Sequence, residues 1–178
     1  AARPDRDWNA TVPVVGIAGG TFGDTNSIRQ ARAAAKNYLM RLRDSGRLMT
    51  NADTGWKIGL SRASINELTQ FGQEKLNLLI ALPRIANVAV LADSAPNRKP
   101  AAQGESVVAY HTLYAPVALN GELRIARLVV QEQAGGRYAF DLQQSSVLNA
   151  QGPAGVARFP GIESGARRPG EAHAWTVG

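Results

Sequence analysis

The sequence predicts an α+β fold in which N-terminal helices pack on a C-terminal antiparallel β-meander of about four strands, followed by a disordered tail. Three observations lead there. Residues 25–45 repeat apolar side chains at helical spacing, residues 107–146 read as consecutive strands, and Asn120-Gly121 sits between two of those strands. Asn-Gly is the strongest short hairpin signal, because both central residues of a type I′ turn need positive φ. It also fixes a register. With those two residues as the loop, Leu119 faces Glu122, Val117 faces Arg124, Tyr114 faces Arg127 and His111 faces Val130.

Taken in order, residues 1–11 are polar and patternless and form a disordered lead-in, and residues 12–146 make one α+β domain. Val12–Ile17 is a short strand. It runs into Gly16, Gly19, Gly20 and Gly23, but no Lys-Ser/Thr follows and Ala18 stands where a dinucleotide fingerprint needs glycine. The turn is therefore a strand-to-helix loop rather than a phosphate loop. Thr25–Ser45 is the clearest helix, closed by Gly46, with Ile28, Ala31, Ala35, Tyr38, Leu39 and Leu42 on its apolar face. Arg29, Arg32, Lys36, Arg43 and Arg47 fall in an arc of roughly 60° beside that face, a basic stripe that is either a solvated surface or a phosphate contact.

Leu48–Thr50 and Trp56–Ser61 form a hairpin around a turn at residues 51–55, and Ser64-Ile-Asn-Glu67 has capping-box form, so a helix begins near Ser64 and ends near Gly72. A further helix starts at Gln73 and is interrupted by Pro83. Ile85–Leu91 ends as a strand, and Ala92–Gly104 reads as a loop. Residues 147–178 are rich in Gly, Pro, Ala and Arg and read as a linker or tail that carries His173 and Trp175.

The chain has 178 residues, no cysteine and a formal charge of +6. That size supports one cored domain, and the missing cysteines exclude a disulfide framework and a thiolate metal site. No metal and no cofactor is expected. The charge favours an anionic partner, nucleic acid ahead of membrane. No apolar run is long enough for a membrane span.

His111 is the one histidine inside an expected element, and so the candidate acid or base; the alternative is a hydrogen-bonded histidine of the core or sheet edge. Arg124 and Arg127 join it as candidate catalytic cations. Tyr114, paired with Arg127 on the other face, suits stacking and phosphate contact. Lys57 and Arg62 are candidate phosphate ligands beside a helix start, with Trp56 read as core. The sequence holds no useful pair of carboxylates, no Ser/His/Asp spacing and no Gly-x-Ser-x-Gly elbow. RNA cleavage asks for less, since the 2′-hydroxyl is the nucleophile and the protein supplies a base, an acid and a cation.

The strings Asn51-Ala-Asp-Thr-Gly-Trp-Lys-Ile58 and Ser61-Arg62, the Leu-rich helix ending Leu82-Pro83, and Tyr110-His111-Thr-Leu-Tyr-Ala-Pro-Val117 together resemble a known pattern. Over residues 25–146 the chain resembles the barnase/EndoU/colicin/RelE-like nuclease-type domains of large polyvalent proteins of phages and mobile elements, and of bacterial polymorphic toxins. The resemblance implies two helical segments before a four-stranded antiparallel sheet, and metal-independent RNase activity through a 2′,3′-cyclic phosphate. It also implies delivery to a bacterial cytoplasm within a larger polypeptide, with an immunity protein as a further partner. His111, Trp56, Lys57, Ser61 and Arg62 lie in the matching strings. The competing expectation is a non-enzymatic module that binds nucleic acid, or docks within the larger protein, through the stripe of Arg29, Arg32, Lys36, Arg43 and Arg47.

Overall fold

The computed structural model describes residues 13–17, 27–98 and 107–149. The lead-in at 1–11, the glycines at 19, 20 and 23, and the tail with His173 and Trp175 lie outside them. The described elements are β1 (Val15–Ile17), α1 (Ile28–Asp44), β2 (Met49–Thr50), β3 (Lys57–Gly59), α2 (Arg62–Asn66), a 3-10 turn (Glu67–Gln70), α3 (Gln73–Ile80), α4 (Leu82–Val88), β4 (Val90–Pro96), β5 (Val107–Leu119), β6 (Glu122–Gln133) and β7 (Arg137–Asn149).

The sheet departs from the expected four-stranded antiparallel meander. It has seven strands in the order β1-β5-β6-β7-β3-β2, with β4 also on β5, and it curls into a half-barrel. It is mixed, because β1 runs parallel to β5 and β3 parallel to β7, while the remaining pairs are antiparallel. β1, β2 and β3 fall on segments that the sequence reads as a strand and a hairpin, and what it does not give is their place in this sheet. Val15 pairs with Val117 and Ile58 with Tyr138 across the intervening helices, which no local pattern encodes. β4 was hidden by composition, since Ala92-Asp-Ser-Ala-Pro96 is poor in strand formers.

The hairpin register agrees with the sequence at every stated pair. Asn120 and Gly121 both take positive φ, 51° and 78°, as the turn requires. Leu113, Ala115, Val117 and Leu119 of β5, Ala126, Leu128 and Val130 of β6, and Phe140 and Leu142 of β7 share one face. Against it pack Ala31, Ala35 and Leu39 of α1, Leu76, Leu78 and Leu79 of α3, and Leu82 and Ile85 of α4. Burial of this apolar surface is the main stabilising term.

Three polar anchors fix the helices on this face. Arg32 Nε donates to the Phe71 carbonyl at 3.0 Å and the Tyr38 hydroxyl to the Ile80 carbonyl at 3.0 Å, tying α1 to the segments around α3. The third is Ser64. Helix α2 starts earlier than the capping-box pattern suggests: Ser61 is its N-cap, accepting from the Ser64 amide at 3.1 Å. That frees the buried Ser64 hydroxyl to donate to the Phe140 carbonyl at 3.1 Å and accept from the Leu142 amide at 2.9 Å. The hydroxyl thus takes over the β7 edge beyond Gly59, where β3 ends. Ser64→Ala leaves both backbone groups buried without this partner and is expected to cost about 2 kcal/mol, read as a shift in the urea midpoint.

Candidate functional site

The site lies on the helix-side face of the sheet, beyond Leu113 of β5 and Val130 of β6. Burial falls from Leu113 and Val130, both fully buried, to the half-buried Glu132. Four strands contribute to it. Ser94 of β4 sits directly opposite His111 of β5. Glu132 of β6 lies one diagonal step from His111, paired with Ala109 on one side and Tyr138 of β7 on the other.

These positions build a continuous hydrogen-bonded chain. Ser94 Oγ is 2.7 Å from His111 Nδ1, and His111 Nε2 is 2.8 Å from Glu132 Oε2. A carboxylate only accepts, so the ring proton belongs on Nε2, and Nδ1 of the neutral imidazole accepts from the Ser94 hydroxyl. His111 is 6% exposed, whereas the Glu132 side chain is 29% exposed. The imidazole is shielded while its carboxylate partner reaches solvent. The sequence showed no Ser/His/acid spacing because the three residues meet across β4, β5 and β6, and only topology brings them together.

Aromatic rings wall the site. Trp56 lies 4.5 Å from the His111 ring at a tilt of 53°, and stacks on Tyr138 at 4.4 Å with 11° between planes. Trp56 packs against the core, as the sequence suggests, and also borders the candidate acid–base group. Its position is set by Asn51, which is fully buried. The Asn51 amide donates from Nδ2 to the carbonyls of Ala86 and Ala89, each at 2.7 Å, and Oδ1 accepts from the Thr54 amide at 2.9 Å and its hydroxyl at 2.8 Å. The Asn51 backbone N–H donates to the Trp56 carbonyl at 2.9 Å, closing the loop that carries the ring.

A family model described as large polyvalent protein-associated domain 3 matches residues 26–140. The chain belongs to this family. No curated protein and no solved structure gives a further match. The assignment puts this polyvalent protein-associated domain in the company of large polyvalent proteins, the context that the resemblance implied. Nothing in the match speaks of nuclease chemistry. Among the described residues no helix is long and apolar enough to cross a membrane.

Within this domain the two arginines expected to act with His111 do not meet its ring, and Arg127 keeps the opposite face that the register assigned to it. Arg124 shares the histidine's face but stands six residues before Val130 on β6, about 20 Å away at strand rise. There it pairs with Glu122 at 2.6 Å and lies 3.8 Å from Glu74. Arg127 is on the opposite face, across from the buried Tyr114, and donates to the Gln144 carbonyl at 2.9 Å. Lys57 is exposed and alternates with the buried Ile58, so it faces away from the core side, and Arg62 is exposed in the first turn of α2. In the basic stripe Arg32 is committed to the Phe71 carbonyl and Arg43 pairs with Asp44 at 2.9 Å, leaving Arg29, Lys36 and Arg47 as its exposed cations outside those contacts.

A second titratable cluster lies on α3 and β7. Lys75 Nζ donates to the Gln143 carbonyl at 3.0 Å and sits 3.7 Å over the Phe71 ring. Burial brings its amine down to about 8, against an upward pull from Asp141 and Glu67. The folded chain therefore holds fewer protons than the unfolded chain between about 8 and the ordinary 10.5. This group's contribution to stability is expected to rise with pH across that window and to stay flat below it. Comparing urea midpoints at the two ends of the window checks this, since Lys75→Met should remove that part of the rise.

Proposed function

We propose that this domain is a metal-independent RNase in which His111 and Glu132 form the proton-transfer pair. The observation that carries the reading is the 2.8 Å contact between His111 Nε2 and Glu132 Oε2 beside the Trp56–Tyr138 stack. Transesterification of RNA needs a base on the 2′-hydroxyl and an acid on the departing 5′-oxygen, and a coupled imidazole and carboxylate exchange these roles. Glu132, the more exposed member, takes the 2′-hydroxyl proton, and His111, entering this step as the imidazolium, supplies the proton of the leaving group and is left neutral. Ser94 holds the imidazole in position from its other nitrogen. The aromatic wall suits an unpaired base, because stacking accepts any base and favours single strands.

The net charge of +6 supplies the general attraction to RNA. Arg124 and Arg127 lie outside this pair's reach, so they have no part in the reaction proposed here. The reading further places the domain in a bacterial cytoplasm as part of a larger polypeptide, with an immunity protein as its natural inhibitor. The alternative of binding through the stripe draws less support, since Arg32 is committed to the Phe71 carbonyl and Arg43 is paired with its neighbour Asp44.

Incubating the purified chain with total RNA and a defined tRNA in EDTA tests the proposal. Cleavage is expected. Intact RNA, together with binding lost on reversing Arg29 and Lys36 to Glu, would replace it with the binding module.

A further inference from the structure

We propose that Ser94 is a nucleophile, primed by His111 and Glu132 to accept an acyl group from an activated carboxylic ester. This goes beyond RNA cleavage, in which the substrate's own hydroxyl attacks. The warrant is the direction of the hydrogen-bonded chain. Glu132 occupies Nε2 at 2.8 Å, so the lone pair of His111 Nδ1 is turned to the Ser94 hydroxyl at 2.7 Å. That is the arrangement of an activated serine, with a base in contact and a third group orienting the base. The assignment of ring nitrogens is the reverse of the familiar triad, and the proton path is equivalent.

Placement supports the chemistry. Ser94 and His111 are direct partners across β4 and β5, so their separation is set by the strand ladder rather than by loops. Ser94 is half-buried, hence within reach of a reagent, while the imidazole behind it is buried. In the first step Ser94 Oγ bonds to the acyl carbon, its proton moves to Nδ1, and the ester bond breaks as that proton passes to the departing oxygen. Water then attacks the acyl-serine, returning the proton to Oγ and releasing the acid. One ester and one water become one acid and one alcohol.

The test uses a biotinylated fluorophosphonate, whose P–F bond breaks with loss of fluoride as an Oγ–P bond forms. On the whole chain, peptide mass spectrometry is expected to find the adduct on Ser94 in preference to Ser45 and Ser61. Labelling should vanish in Ser94→Ala, fall at least about 10-fold in His111→Gln, and slow in Glu132→Gln. An unlabelled Ser94 in the wild-type chain, or labelling at the same rate in a folded His111→Gln chain, would overturn the proposal. The comparison among serines needs no variant and so survives a variant that fails to fold. RNA cleavage is assayed on the same samples. Labelling without cleavage upholds this inference against the RNA reading, and cleavage without labelling does the reverse.

Discussion

His111→Ala is expected to slow RNA cleavage by about 100- to 10,000-fold, the span that a positioned general acid or base contributes. The substitution removes the leaving-group acid and leaves the Glu132 carboxylate without its 2.8 Å partner. Glu132→Gln should cost a similar factor, because an amide cannot take the 2′-hydroxyl proton. Removing both groups should cost little more than removing one, since the pair acts as a unit. Arg124→Ala is the contrasting control. Its guanidinium is spent on Glu122 and Glu74 at the far end of β6, so cleavage should be unchanged. Rates on a defined tRNA in EDTA, with folding verified by circular dichroism, give all four values. A His111→Ala chain as fast as the wild type would remove the histidine from the reaction.

Asn51→Ala is expected to have the largest effect on stability among single polar substitutions in the described chain. Its side chain makes four hydrogen bonds in a fully buried position, two of them to carbonyls at the α4–β4 junction. Truncation orphans those carbonyls and the Thr54 amide together. A loss of about 3 kcal/mol follows, equivalent to a Tm lower by about 6–12 °C in a domain of this size. The effect should reach the site as well, because the same loop carries Trp56. Trp56 fluorescence, read in a chain with Trp8 and Trp175 replaced by Phe, should shift to the red as the ring gains exposure. An unchanged Tm would show that water or local rearrangement satisfies the freed groups.

How much of this was legible in the sequence differs residue by residue. The two-residue turn at Asn120-Gly121 determined the β5–β6 register from Leu119 as far as Ala109, short of the bulge at residues 107–109, and with it the face of His111. The same arithmetic, carried two residues further, pairs Ala109 with Glu132 and brings the carboxylate to the histidine's diagonal. Ser94 was out of reach, because an edge strand reading Ala-Asp-Ser-Ala-Pro looks like a loop and its pairing with β5 spans residues 97–106. Ser64 misled in a different way. It resembles an N-cap, yet the fold uses Ser61 for that and spends Ser64 on the β7 edge, a choice made by tertiary packing. The segments of β1 and β3 read as strands, but their parallel pairing with β5 and β7 spans the intervening helices, so nothing local announces it.

The central claim is that the His111–Glu132 pair moves protons during RNA cleavage, and the most direct measurement is end-group analysis of tRNA treated in EDTA with the wild-type and His111→Ala chains. The account expects fragments with 2′,3′-cyclic phosphate ends from the wild type and intact tRNA from the variant. Fragments ending in a 3′-hydroxyl, or the same cyclic-phosphate fragments from His111→Ala at the wild-type rate, would contradict it.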